Sequence, residues 1–177
     1  MKVLHSLAMV AGALALTVSS NAVNAQDEAT LNVGLPQLDV AEYHKPYVAV
    51  WIEDAKRKAT HVAVWYDVDK REHKGKEWLK DLRQWWRRGG RSLDLPYDGL
   101  TSATKGPGQY SIDEQLNEAI DGLTAGDYTL RVEVSREVGG REVVSIPFSL
   151  PLSKNALPIE ASGSSEVGTV VLSVKSN

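Results

Sequence analysis

Three side-chain hydroxyls lie close together in residues 98–104, which read Asp-Gly-Leu-Thr-Ser-Ala-Thr. A hydroxyl of this kind can be esterified by another enzyme, provided that the segment can enter that enzyme's active site. Glycines and a proline on both sides of the hydroxyls predict an exposed, conformationally free loop over residues 98–108. A plain turn rich in Gly, Ser and Thr, without any chemistry, is the alternative.

The same seven residues resemble the acceptor motif of the FAD:protein FMN transferases. In that motif an Asp is followed by two variable residues, Ser or Thr, Gly or Ser, Ala, and a final Thr or Ser. The chain meets each restricted position, with Ser102 where Gly is more common. The resemblance implies that Thr104 carries covalent FMN through a phosphoester. Asp98, Thr101, Ser102 and Ala103 would then be recognised by the transferase and take no part in redox chemistry.

Two neighbouring features are candidates to contact such a flavin. Lys105 follows Thr104 directly and is expected either to offset the charge of the phosphoester or to be an ordinary solvated lysine. Trp85 and Trp86, beside Arg87 and Arg88, are candidates to stack on the isoalloxazine ring and to stabilise its anionic reduced form. Tryptophans at helical spacing usually belong to a core, so at least one of the two is expected to be buried, and a solvent-exposed flavin is the alternative.

The rest of the sequence contains no complete catalytic or metal-binding motif. There is no nucleophile elbow, phosphate loop or haem-attachment motif, and there is no Cys. His44, His61 and His73 lack the spacing of metal ligands. Asp67 and Asp69 follow a predicted strand and are interpreted as turn residues. These observations favour an electron-transfer carrier over a stand-alone enzyme.

Alternation of apolar residues is the dominant pattern in the chain. It occurs in residues 31–35, 47–52, 61–66, 128–135, 144–150 and 170–174. A period of two predicts half-buried strands, each with one face on a core, and Gly139-Gly140 between two of them predicts a β-hairpin. A further strand is expected to begin at Tyr110, and residues 153–165 are expected to form a surface loop.

One segment departs from this alternation. In residues 77–88, Trp78, Leu82 and Trp85 recur at helical spacing, and Gly89-Gly90 follows, which predicts a short amphipathic helix. The fold class is therefore predicted to be all-β, an immunoglobulin-like β-sandwich with one short amphipathic helix.

The N-terminus has the pattern of a secretory signal peptide. Lys2 precedes an apolar run over residues 3–18, and Val23-Asn24-Ala25 is a small-x-Ala cleavage site, so we expect cleavage after Ala25. A membrane anchor is the weaker alternative because the run is short for a spanning helix. Removal of 25 of the 177 residues leaves 152, enough for a single domain, residues 26–177, with its own core. The net charge of −3 indicates neither nucleic acid nor an anionic membrane as a partner.

Five longer stretches carry a second resemblance: residues 47–54, 64–66, 79–87, 98–110 and 125–133. They are similar to a family of bacterial periplasmic proteins labelled as domain of unknown function 2271 (DUF2271). The resemblance implies a periplasmic location and an association with FMN transferases and with membrane flavin reductases that bear PepSY-type domains. Residues 112–117 depart from the turn found in relatives, so the loop over residues 114–123 is expected to differ in shape.

Two functions from different classes follow. The first is an exported electron-transfer flavoprotein with FMN on Thr104, matured by an FAD:protein FMN transferase. Its partner in use would be a PepSY-type membrane flavin reductase or another redox carrier, without nucleic acid and without stable membrane insertion. The alternative is a non-catalytic, immunoglobulin-like periplasmic binding or interaction module that carries no cofactor.

Overall fold

A computed structural model describes residues 28–175, and its architecture is an all-β sandwich of two sheets. The predicted signal peptide, residues 1–25, lies outside the described residues. The strands are β1 Ala29–Leu35, β2 Tyr47–Asp54, β3 Ala59–Tyr66, β4 Thr101–Ala103, β5 Gly108–Ser111, β6 Gly126–Ser135, β7 Arg141–Leu150, β8 Ile159–Ser162 and β9 Thr169–Val174. The α-helices are α1 Arg83–Arg87 and α2 Asp113–Asp121, and short 3₁₀ segments span Arg71–Asp81, Gly90–Ser92 and Lys154–Ala156.

The two sheets enclose one main core. The first sheet has the strand order β5-β1-β9-β8, and the second has the order β4-β3-β2-β6-β7. Every pairing is antiparallel except that of β3 with β4, which is parallel. The core between the sheets contains residues of alternate positions on the strands, such as Leu31, Val33, Val48, Val50, Val132 and Leu172. The sandwich, the six strands with alternating residues and the β6–β7 hairpin are thereby confirmed.

The second sheet is also covered on its outer face, which the prediction of half-buried strands did not include. A parallel connection between β3 and β4 requires a crossover, and residues 67–100 provide it; we call them the crossover. Its apolar side chains pack on the outward residues of β2 and β3 in a second core of Tyr47, Ala49, Trp51, Val64, Tyr66, Leu79, Leu82, Trp85 and Leu95. The continuous apolar run of β2 is typical of a strand buried on both faces.

The prediction of a single helix is wrong in two respects. The helical segment of the crossover breaks at Leu82, so that a 3₁₀ segment precedes the five-residue α1. A second helix, α2, occupies part of the region that was expected to be a loop. Ile112, which directly precedes the helix, and the buried helix residues Leu116 and Ile120 recur every four positions, and Asn117 bonds to the backbone of β1 at Ala29 over 2.9 Å. This helical spacing was present in the sequence.

Two predicted loops contain short strands. The segment over residues 98–108 includes β4 and the start of β5, and residues 153–165 include β8. These strands have only three or four residues, too few to show a period of two. They are held by backbone hydrogen bonds to longer neighbours, β4 to β3 and β8 to β9, which any sequence can provide.

A buried carboxylate fastens the crossover to the second sheet. Glu133 on β6 is fully buried and accepts hydrogen bonds from the backbone amides of Gln84 (3.0 Å) and Trp85 (2.8 Å) at the start of α1. Its other oxygen forms an ion pair with Arg141 at 2.8 Å. The first amides of a helix have no partner within it, so Glu133 satisfies donors that burial would otherwise leave unpaired.

We predict that Glu133→Ala lowers the free energy of unfolding by about 3 kcal/mol, because two buried amides and one guanidinium lose their acceptor. Urea unfolding followed by tryptophan fluorescence measures the change. Glu160→Ala, at an exposed position of β8, is the matched control and should leave the urea concentration at the midpoint of unfolding unchanged. Equal midpoints for the Glu133 and Glu160 variants would contradict this role for Glu133.

A second carboxylate joins the two sheets. Glu142 on β7 accepts hydrogen bonds from the four successive backbone amides of residues 164–167, in the connection between β8 and β9, and from the Ser164 hydroxyl. Burial alone would raise the pKa of this carboxyl, but these hydrogen bonds outweigh burial and lower the pKa from 4.5 to about 2. The ionised form of Glu142 therefore stabilises the folded state.

This lowered pKa sets a pH window for stability. The stabilisation is fully present above about pH 5 and is lost as the pH falls through the folded-state pKa of about 2. We predict that Glu142→Gln is less stable than the wild type at pH 7 and that the difference narrows towards pH 2. Urea titrations at both pH values test this, with Glu160→Gln as control. A difference that is independent of pH would contradict the assignment.

Candidate functional site

The parallel pairing of β3 and β4 brings Asp67 and Thr104 together. Tyr66 and Ala103 are the last paired residues of the two strands, and Asp67 and Thr104 are the next residue of each. The Thr104 hydroxyl donates a hydrogen bond to the Asp67 carboxylate over 3.0 Å, in a half-buried position. Sequence reasoning interpreted Asp67 only as a turn acid, since its contact depends on a strand that is too short to predict.

The other motif residues lie in a turn and a short edge strand. Asp98 is exposed, and the Thr101 hydroxyl accepts a hydrogen bond from the Tyr97 amide over 3.0 Å. Within the described residues, β4 pairs with β3 alone, so its other edge has no neighbouring strand. Ser102 is half-buried and Ala103 is exposed. The motif is therefore accessible from the edge of the second sheet, although it is more ordered than the predicted loop.

A cavity of about 670 Å³ lies beside Thr104. It occupies the end of the second sheet where β3 and β4 finish, β2 begins and the β6–β7 hairpin turns. Its walls come from the β1–β2 connection (Tyr43 and Lys45), from the crossover (Trp78 and Arg83) and from residues 135–141 of the hairpin. This volume is within the range of about 300–1,000 Å³ that is usual for small-molecule and cofactor sites.

Exposed apolar side chains are concentrated at this cavity. In the part of the chain that the structure describes, four large hydrophobic side chains are exposed, and two of them, Trp78 and Val138, line the cavity. The Trp78 side chain is 43% exposed and that of Val138 is 86% exposed. Val138, at the tip of the β6–β7 hairpin, has a φ of +54°, which is strained for a β-branched residue. Strained backbone of this kind is often found where a protein contacts a ligand.

Two of the cations at the cavity are fixed by buried partners. Arg136 binds Glu166 through two hydrogen bonds of 2.9 and 3.0 Å, and both side chains are almost fully buried. The hydrogen bond to Glu166 raises the pKa of Arg136, and Arg141 is held by Glu133. These arginines are therefore structural parts of the cavity wall.

Two further cations at the cavity have no acidic partner. Lys45 and Arg83 are exposed, and neither forms a salt bridge with any acidic group of residues 28–175. The one cation paired with Asp67 among the described residues is Lys70, whose ammonium lies 4.0 Å away. Asp81 also lines the cavity and forms no salt bridge with a basic group of residues 28–175, so the unpaired charges at the cavity are of both signs.

Tyr47 forms part of the cavity floor next to Asp67. Its hydroxyl donates a hydrogen bond to the Gly75 carbonyl over 3.0 Å. Burial, followed by the negative charge of Asp67, raises the pKa of Tyr47 to about 12. The phenol therefore stays protonated at physiological pH.

The two tryptophans proposed to stack on a flavin lie away from the cavity. Trp85 is fully buried in the second core, and Trp86 is half-buried against it with the ring centroids 6.4 Å apart. Neither lines the cavity. Arg88 is also occupied, since it binds the buried Glu53 over 3.0 Å. Trp78, from the same helical pattern, is the tryptophan at the cavity, because the break at Leu82 separates it from the buried stripe.

Lys105 also points away from the cavity. Its ammonium lies over the rings of Trp65 and Tyr110, 5.1 and 5.3 Å from their centroids, and it is absent from the cavity lining. Such cation–π contacts place this lysine against the edge of the main core. Lys45 and Arg83 belong to no motif in the sequence, but the fold brings both of them to the cavity that Thr104 lines.

The three histidines of the described chain, His44, His61 and His73, have separate surroundings. No group of three or more metal-ligating side chains occurs among residues 28–175. His61 is half-buried with its ring 5.8 Å from Trp85, and burial lowers its pKa. His44 lies 3.2 Å from Glu42 and 3.8 Å from Glu137, which links the β1–β2 connection to the hairpin tip at the cavity.

The helices of the described chain are all too short or too polar to cross a membrane. Neither a curated protein nor a solved structure matches the chain significantly. Residues 28–169, which include the second sheet, the crossover, every cavity residue and all strands of the first sheet except β9 beyond Thr169, match a family described as predicted periplasmic protein. On this match, the chain belongs to the DUF2271 family of predicted periplasmic proteins.

Proposed function

We propose that the protein is an exported flavoprotein that carries covalent FMN on Thr104 and transfers electrons outside the cytoplasm. The observation that carries the proposal is the position of Thr104. It is the last residue of a segment that resembles an FMN acceptor motif, and its hydroxyl lies at the end of an edge strand, on the wall of a cavity large enough for a cofactor. Membership of a family described as periplasmic supports the location.

Attachment of the cofactor is a phosphoryl transfer from FAD. The Thr104 oxygen forms a bond to the phosphorus of the FMN half, the pyrophosphate bond breaks, and AMP leaves. The hydroxyl proton is released to a base, so the protein gains FMN less one water. An FAD:protein FMN transferase is the proposed maturation enzyme.

The residues around Thr104 are compatible with a phosphoester. Esterification removes the proton that Thr104 donates to Asp67, and it places a negative charge beside that carboxylate. Lys70 lies 4.0 Å from Asp67, and Lys45 and Arg83 line the same cavity without acidic partners. These cations are available to offset the negative charge of the phosphoester. The fit therefore depends on cations that the acceptor motif itself does not contain.

The transferase must reach a hydroxyl that is half-buried in the folded protein. The strand β4 has three residues and one neighbour, so its release exposes Thr104 at small cost to the sandwich. Gly99, with a φ of +79°, and Gly106, around which a side chain would meet nothing within 4 Å, provide the freedom on either side.

The bound flavin would supply reversible electron transfer, and the protein supplies retention and orientation. A covalent ester suits an exported carrier because a cofactor that dissociates outside the cytoplasm is lost. A PepSY-type membrane flavin reductase or another redox carrier is the proposed electron-transfer partner.

The second candidate function is a periplasmic binding module without a cofactor. The observation that favours it is the same cavity, since Trp78, Lys45 and Arg83 would also suit a reversibly bound, aromatic or anionic small molecule. In this case residues 98–104 are a structural turn and strand only.

We predict that Thr104→Ala abolishes covalent flavin when the protein is co-produced with an FMN transferase, because the ester oxygen is absent. Flavin fluorescence after denaturing electrophoresis is the measurement. Thr104→Ser, which keeps a hydroxyl, and Ser102→Gly, which restores the commoner motif residue, are matched controls and should stay fluorescent.

A fluorescent Thr104→Ala protein would contradict the assignment of the acceptor residue. A colourless wild-type protein, produced with a transferase that modifies another acceptor in the same cells, would contradict the flavoprotein. The binding-module function would then lead.

A further inference from the structure

We infer that the cavity beside Thr104 is the docking site of the isoalloxazine ring, which packs there against the exposed face of Trp78. The inference rests on the proposed function, since it requires FMN on Thr104. It differs from a flavin exposed to solvent and from one stacked on Trp85 or Trp86. The flavin site is thereby extended from a single attachment residue to the crossover and the β6–β7 hairpin.

The first argument is the position of the attachment point. Thr104 is itself one of the residues that line the cavity, and its hydroxyl is directed to Asp67, which lines it too. A ring tethered there is confined near the cavity, so its effective concentration is high and a weak contact is enough to hold it.

The second argument is the chemistry of the wall. Trp78 is the only tryptophan in the described chain with an exposed side chain, and it faces the cavity together with the exposed Val138. A flat, polarizable ring packs favourably on an indole, and its burial would remove this apolar surface from water. The ammonium of Lys80 lies 5.7 Å from the Trp78 ring centroid and is not part of the cavity lining.

Charge at the cavity does not decide where the ring lies. Arg136 and Arg141 are neutralised by buried glutamates, and the other two cations of the lining, Lys45 and Arg83, are matched in number by the carboxylates of Asp67 and Asp81. The inference therefore rests on the position of Thr104 and on the exposed surface of Trp78.

The alternatives within the chain are less suitable. Trp85 has no exposed surface, and Trp86 does not line the cavity. Tyr97 is more exposed than Trp78, at 64%, and it lies only seven residues before Thr104, but it is also absent from the cavity lining. Tyr97 is therefore a matched control, an exposed aromatic residue near the motif that should not contact the docked ring.

The test uses the full chain, co-produced with an FMN transferase, as wild type, Trp78→Ala, Trp78→Phe and Tyr97→Ala. Intact mass after denaturation first establishes that each sample carries one FMN. Time-resolved flavin fluorescence of the native samples then separates a short-lived, quenched population, in which the ring contacts an aromatic residue, from a long-lived, free population.

We expect the quenched population to dominate in the wild type and in Tyr97→Ala. In Trp78→Ala the ratio of docked to free ring should fall by about 2- to 10-fold, which corresponds to the loss of one aromatic pair. The ratio in Trp78→Phe should lie between those of the wild type and Trp78→Ala.

Three results would overturn the inference. A wild-type flavin with the fluorescence lifetime of free FMN would show that the ring is exposed, although the covalent flavoprotein would stand. Equal quenching in Trp78→Ala and Tyr97→Ala would assign the docking surface elsewhere. Absence of covalent FMN from the wild-type mass would refute the proposed function and, with it, this docking site.

Discussion

The parallel pairing of β3 with β4 is the constraint on which the candidate site depends. It requires a long crossover, and the crossover then covers the outer face of the second sheet with a second apolar core. The same pairing places the residue after each strand at one end of the sheet, so that Thr104 meets Asp67 at 3.0 Å. In an antiparallel pair the two strands finish at opposite ends of the sheet, so the residues that follow them would not meet.

Buried carboxylates then fix the parts that surround Thr104. Glu133 binds the start of α1 and Arg141, and Glu166 binds Arg136 in the hairpin. These parts of the cavity wall are thereby held in place. The contacts of β4, in contrast, are few, and it lies at a sheet edge. This division suits the proposed acceptor residue, which a maturation enzyme would first draw out and which would afterwards return to the cavity.

The sequence predicted the long strands and the hairpin, because alternation is a local signal. The acceptor motif is a local signal too, and the assignment of Thr104 stays a prediction. It did not predict β4, β8 or the Asp67 contact, since three-residue strands and parallel neighbours are defined by tertiary pairing. Helix α2 had a readable spacing in Ile112, Leu116 and Ile120. The break at Leu82 was not visible in the sequence, so Trp78 could not be distinguished from Trp85 and Trp86 as the tryptophan at the cavity.

The most direct test of the account is the mass of the wild-type protein, co-produced with an FMN transferase, denatured and digested with trypsin. The account predicts one peptide, containing Thr104, that is heavier by FMN less one water and that absorbs visible light. An unmodified Thr104 peptide from cells in which the transferase is active, or a flavin on a different peptide, would contradict it.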